Sequence, residues 1–93
     1  MNTVFEWDEA KCEANIRKHG IDFADVPEVF ESETVIVEDD RFDYGETRFI
    51  ALGLLQGRTV AVVFVEYEDT IRIISARKAT RHEERAYYEQ ISH

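Results

Sequence analysis

The stretch 59–90, TVAVVFVEYEDTIRIISARKATRHEERAYYEQ, decides how this chain folds. Its first part, TVAVVFVEY (59–67), is β-branched and apolar on both parities, the pattern of a strand buried on both faces of a sheet. Glu68-Asp69 breaks the run, and TIRIISAR (70–77) reads as the antiparallel return of a hairpin. Strict alternation would put Ile71, Ile73, Ser75 and Arg77 on one face and Arg72, Ile74, Ala76 and Lys78 on the other. Thr80 followed by Glu83 is a capping box, in which each side chain reaches the other residue's backbone amide, so a helix is expected over 81–91.

The same signals continue outward toward the N-terminus. TRFIALGLLQ (47–56) and TVIVE (34–38) read as two more strands, joined by an acidic loop over 39–46 and followed by a tight turn at Gly57-Arg58. Phe23, Val26, Val29 and Phe30 recur at helical spacing after a capping Asp22, which predicts a short helix over 23–31 with Pro27 near its start. Asp8, Glu9, the basic trio Arg17, Lys18 and His19, and Gly20 are the start and stop signals of a helix over 9–19. Its buried stripe is expected on Ala10 and Ala14, with Trp7 and the Arg17 methylenes beside them. TVFEW (3–7) reads as a short first strand. The order is β-α-α-β-β-β-β-α, an α+β domain with helices against an antiparallel sheet.

Ninety-three residues suit one domain, 1–93. Apolar residues at 44% are enough for a core, so a disordered chain is excluded despite 33% charged residues. The longest apolar run, VAVVFV, is far short of the roughly 20 residues that span a bilayer. MNTVFEWDEAKCE shows neither a basic start nor an apolar stretch, so no signal peptide is expected. One cysteine, Cys12, fits a reducing, cytoplasmic setting. Formal net charge is −9, but its distribution is uneven. Residues 1–46 hold 14 acids and 4 bases, whereas 70–88 hold 5 bases and 2 acids. The bulk charge argues against nonspecific nucleic-acid binding. The local charge permits an anion site at the junction of the last strand and last helix, where helix amides are also free.

The residues of that junction suit RNA cleavage without a metal. Such cleavage needs a base for the 2′-hydroxyl proton, cations for the crowded phosphorane, and an acid for the leaving 5′ oxygen. Arg77 and Arg81 are the expected phosphate ligands, and Lys78 a further cation or proton donor. Glu66 and His82 are the candidate proton carriers. Tyr87 and Tyr88 offer rings for stacking on unpaired bases, and Arg48 and Arg72 contribute if they share the sheet face. Each also has a plain structural reading: a solvated basic helix face, an aromatic core anchor, a turn carboxylate, a surface strand arginine. Other chemistries lack their signatures. His19, His82 and His93 have no metal-ligand spacing, EDDRFD (38–43) lacks the glycine and final glutamate of a calcium loop, and no phosphate-cradling glycine loop is present. No cofactor and no metal are expected.

FEWDEAKCEANIRKHGIDF (5–23) and, much later, RIISARKATRHEERAYYE (72–89) together resemble the BrnT family of type II toxins. The resemblance implies a RelE-like fold and a ribonuclease that blocks translation. It also implies a BrnA-like antitoxin that neutralises the toxin and carries a dimeric DNA-binding domain, so operator DNA is met only through that partner. By residue it points to Arg77, Lys78, Arg81 and Tyr87 or Tyr88, and to Lys18 and His19 of the RKHG segment. RelE-like toxins are usually basic, and this chain is acidic. That departure keeps a second reading open: a partner-binding module of the same fold without catalysis, a decayed toxin or co-repressor. A stand-alone RNA-binding domain is a third. The acidic first half, residues 22–46 in particular, is the expected attachment surface if the antitoxin's binding segment is basic.

Overall fold

In a computed structural model, described here for residues 3–40 and 45–92, the chain forms an α+β structure on one five-stranded mixed sheet. The elements are β1 (Val4–Glu6), α1 (Glu9–His19), a 3-10 turn (Phe23–Asp25), α2 (Pro27–Glu31), β2 (Val35–Asp39), β3 (Arg48–Leu55), β4 (Arg58–Tyr67), β5 (Thr70–Lys78) and α3 (Arg81–Ile91). Part of the acidic loop expected over 39–46 lies outside the described residues, as does His93.

Strands β2 to β5 are successive antiparallel neighbours, joined from β3 onward by tight hairpins. The β3–β4 turn is Gln56-Gly57, one residue earlier than expected; both residues have positive φ, 51° and 80°, which matches the twist of the flanking strands. The expectation of a wholly antiparallel sheet is corrected at β1. It joins β5 in parallel, Val4 opposite Thr70 and Glu6 opposite Arg72, giving the strand order β1-β5-β4-β3-β2. A parallel pair cannot be closed by a hairpin, and here the whole intervening chain forms the connection.

Strand β4 is buried on both faces because a layer of helix covers each. Val60, Val62 and Phe64 face α1, the 3-10 turn and α2, in a core with Cys12, Phe23, Val26, Val29, Ile71 and Ile73. Ala61 and Val63 face α3, in a second core with Ile50, Leu52 and Tyr87. The run expected as one helix over 23–31 is divided. Asp22 caps the 3-10 turn at the Ala24 amide, and Pro27 then stands in the first turn of α2, where its missing N–H costs nothing. Gly53 lets α2 lie directly on β3: a Cβ there would stand 2.8 Å from Val29 Cγ1 and 3.0 Å from the Val29 carbonyl oxygen.

Helix α1 begins at an Asp8 cap and ends at Gly20, whose φ of 72° lets its amide return to the Ile16 carbonyl. Its buried residues are Cys12 and Asn15, whereas Ala10 and Ala14 face solvent, contrary to the expected stripe. Beyond Arg72, β5 has no β1 residue beside it, and Asn15 takes that place. Its Nδ2 donates to the Ala76 and Ile21 carbonyls, both at 2.9 Å, and its Oδ1 accepts from the Ala76 amide at 3.1 Å. A polar side chain is buried here because two strand groups would otherwise lack partners.

A bulge in β5 overturns the expected parity. Val63 lies opposite Ser75 and Phe64 opposite Ile73, so Ile74 is an extra residue between them. Ile71, Ile73, Ala76 and Lys78 therefore share the α1 side of the sheet, and Arg72, Ser75 and Arg77 share the α3 side. Among the described residues no helix is long and apolar enough to cross a membrane.

Candidate functional site

Helix α1 docks along β5 through Asn15 and Ala76, so its last turn comes to the end of β5. The β3–β4 turn and the start of α3 lie at that same end, since Ala61 is level with Arg77, Val60 with Lys78, and the Ala79 amide bonds the Thr59 carbonyl at 3.1 Å. Arg17, Lys18, Arg58, Arg77, Lys78 and Arg81 thus gather there, six of the chain's eleven lysines and arginines.

On the α1 side, this end opens into a cleft of about 420 Å³, within the range of small-ligand pockets. Ile21, Leu55 and Val60 give it apolar surface; His19, Asp25, Arg58 and Lys78 supply the ionisable groups. Each is placed by a local signal. His19 is the last residue of α1 because Gly20 stops the helix. Asp25 follows from the reversal capped by Asp22. Arg58 opens β4 after the Gln56-Gly57 turn, which α2 holds through a 2.9 Å hydrogen bond from the Gln56 amide to Glu28 Oε2. Lys78 reaches the α1 side because of the bulge at Ile74.

Arg77, on the other side of the sheet, is built into the start of α3. Its Nη1 donates to Glu83 Oε1 at 2.7 Å and its Nη2 to Glu83 Oε2 at 3.0 Å, a bidentate pair with side chains a quarter exposed or less. Glu83 Oε1 also accepts from the Thr80 amide at 2.9 Å, and the Thr80 hydroxyl accepts from the Glu83 amide at 3.1 Å. The Arg77 hydrogen bonds, opposed by burial, hold the Glu83 carboxyl at about 2, below its ordinary 4.5. Arg77, one of the expected phosphate ligands, thus has its charge matched by Glu83 inside the protein.

The structure divides the remaining candidates. Arg81, His82, Arg85 and Tyr88 are all exposed on α3, with Arg81, Arg85 and Tyr88 at i, i+4 and i+7 on one stripe. Tyr87 is fully buried, donates from its hydroxyl to the Glu33 carbonyl at 2.8 Å, and meets the exposed Tyr88 edge-on at 5.2 Å. Burial pushes its hydroxyl pKa upward. Tyr87 is thus a core residue, whereas Tyr88 is 43% exposed.

Glu66, Arg48 and Arg72 are not brought to this end. Glu66 is level with Ile71, five residues along β4 from Ala61 at the level of Arg77, about 17 Å at roughly 3.3 Å per residue. Arg48 lies opposite Asp39 at the same far end, and Arg72 pairs with Glu6 at 3.5 Å. Lys18 is exposed in the last turn of α1, one residue before the cleft histidine. Arg58 and Asp25 are the residues that sequence reasoning missed. The tight turn expected at Gly57-Arg58 was a visible signal for Arg58, but only strand register shows that the turn meets the end of β5. Among the described residues no group of three or more histidine, cysteine, aspartate or glutamate side chains is placed to hold a metal ion.

Comparison with known families matches residues 7–83 to the family described as the ribonuclease toxin, BrnT, of type II toxin-antitoxin systems. Comparison with curated proteins gives no match.

Proposed function

The chain belongs to the BrnT family of ribonuclease toxins, and from that premise we propose that it cuts single-stranded RNA without a metal, in the cleft between α1 and the end of β5. The observation that carries this reading is the meeting of His19, Arg58 and Lys78 around one mainly polar cleft that Ile21, Leu55 and Val60 also line, from three elements far apart in sequence. The apolar surface suits a splayed base, and the cations suit its phosphate.

His19 takes the proton of the 2′-hydroxyl, whose oxygen attacks the neighbouring phosphorus. Arg58 and Lys78 stabilise the charge that develops on the phosphorane oxygens. The bond from phosphorus to the 5′ oxygen breaks, and that oxygen takes a proton from Lys78. The products are a 2′,3′-cyclic phosphate and a 5′-hydroxyl. Arg81 and Arg85 hold flanking phosphates along α3, Tyr88 stacks on a flanking base, and Arg77 acts as a positioning residue that fixes the start of that helix. A RelE-like arrangement and a BrnA-like antitoxin that links the complex to operator DNA belong to the same reading.

The test is cleavage of a single-stranded RNA in the presence of a chelator. Wild type should leave cyclic-phosphate ends. His19→Ala and Lys78→Ala should each lose on the order of 10²-fold or more in rate, the scale of removing a proton carrier or a transition-state cation. Both side chains are exposed, so unfolding free energies should stay within about 0.5 kcal/mol of wild type. Full activity in both variants rejects the site. A second reading, a partner-binding module without catalysis, is favoured by the net charge of −9 and by the matching of Arg77 with Glu83. Growth arrest on expression in a bacterial host, relieved by the neighbouring gene, would decide for the toxin.

A further inference from the structure

Strand β2 is the last strand of the sheet on the side away from β1. An edge strand turns alternate N–H and C=O groups outward, where they template another strand unless something guards them. The usual guards are charged side chains, lysine above all, proline, a bulge, a covering element or a very short strand; the charges of β2 are confined to its last two residues, Glu38 and Asp39, which leaves Val35–Val37 without one. Strand β2 runs for five residues, VIVED, and contains neither lysine nor proline. Ile36 and Val37 are 52% and 48% exposed. They lie opposite Ala51 and Ile50, so one apolar side chain is offered on each face of the sheet.

The charge around this edge selects the occupant. Residues 31–40, ESETVIVEDD, hold five acids and no base. A second copy of the chain would bring two such edges together, each on a protein of net charge −9, so self-pairing is opposed. A strand that interleaves lysine or arginine with β-branched residues meets both the apolar side chains and the acids.

We propose that β2 is the docking edge for an extended basic segment of the antitoxin, added to the sheet as a sixth strand. The identity of that partner rests on the toxin reading above. The cleft reaches β3, the neighbour of β2, only at Leu55, whereas Glu38 lies opposite Phe49, six residues or about 20 Å along β3 at roughly 3.3 Å per residue, so docking at that end of the edge and cleavage are separable by mutation.

The experiment titrates the isotopically labelled full chain with a ten-residue peptide alternating lysine with valine and threonine. A control peptide carries glutamate in place of lysine. The basic peptide should slow amide exchange at alternate residues of Val35–Asp39, and its affinity should fall about tenfold as salt rises from low to physiological levels. Glu38→Lys, at an exposed position, should weaken the basic peptide about tenfold and strengthen the acidic one. Protection elsewhere, equal binding of both peptides, or dimerisation through β2 overturns the proposal. RNA cleavage is assayed in parallel. Cleavage without β2 protection rejects the docking edge alone, whereas protection without cleavage keeps the edge and rejects the nuclease.

Discussion

Glu83 serves the helix and the strand with one carboxylate, receiving the Thr80 amide and both terminal nitrogens of Arg77. Its carboxyl sits at about 2 against an ordinary 4.5. A depressed carboxylate stabilises the fold fully above its unfolded value, and that contribution is lost as pH falls from about 4.5 toward 2. The difference corresponds to a ceiling of about 3 kcal/mol, reduced by the partial exposure of the pair. Glu83→Gln should therefore cost about 1–3 kcal/mol at pH 7. It should also flatten the decline of wild-type stability between about pH 5 and 2, as measured by urea unfolding across pH. At this scale the sequence was partly legible. Thr80 and Glu83 announce the capping box by spacing alone. That the same glutamate would claim Arg77 was hidden, because a basic run looks the same whether its partner is a phosphate or a carboxylate six residues on.

The elements meet through few but specific contacts. Gly53 on β3 and Val29 on α2 form the closest approach, and Ser32 ties the same junction by donating to the Val29 carbonyl at 2.7 Å and accepting from the Leu54 amide at 3.2 Å. The methyl group of Gly53→Ala would press on Val29 backbone as well as side chain, so α2 must lift from the sheet. The expected cost is about 1–3 kcal/mol, or a fall of roughly 5 °C or more in Tm, read by thermal unfolding. Helices and hairpin strands were legible here from caps, turns and apolar runs. Two features were not. The bulge at Ile74 leaves no compositional mark in IRIISARK, yet it decides that Lys78, and not Arg77, turns to the α1 side. The buried face of α1 was misjudged because Asn15 is polar, and its burial is explained only by the bare edge of β5 that it satisfies.

Across the whole molecule, the chain concentrates cations at one end of the sheet while its first half is acidic. The basic stretch was visible in the sequence as a segment. Its division was not, since strand register places Lys78 with His19 and Arg58 and leaves Arg81, Arg85 and Tyr88 on the outer face of α3. The acidic edge strand β2 is the outermost strand, beyond β3, on the side of the sheet away from β1. The central claim is that RNA is gripped in the cleft and only steered by the outer helix face. The most direct measurement titrates the labelled chain with a short RNA whose 2′-hydroxyl at the cut site is removed, so that it binds without being cleaved. The account predicts amide shifts at His19, Gly20, Gln56, Arg58 and Lys78, weakened by Lys78→Ala. Shifts confined to Arg81–Tyr88, with the cleft amides unmoved, would contradict it.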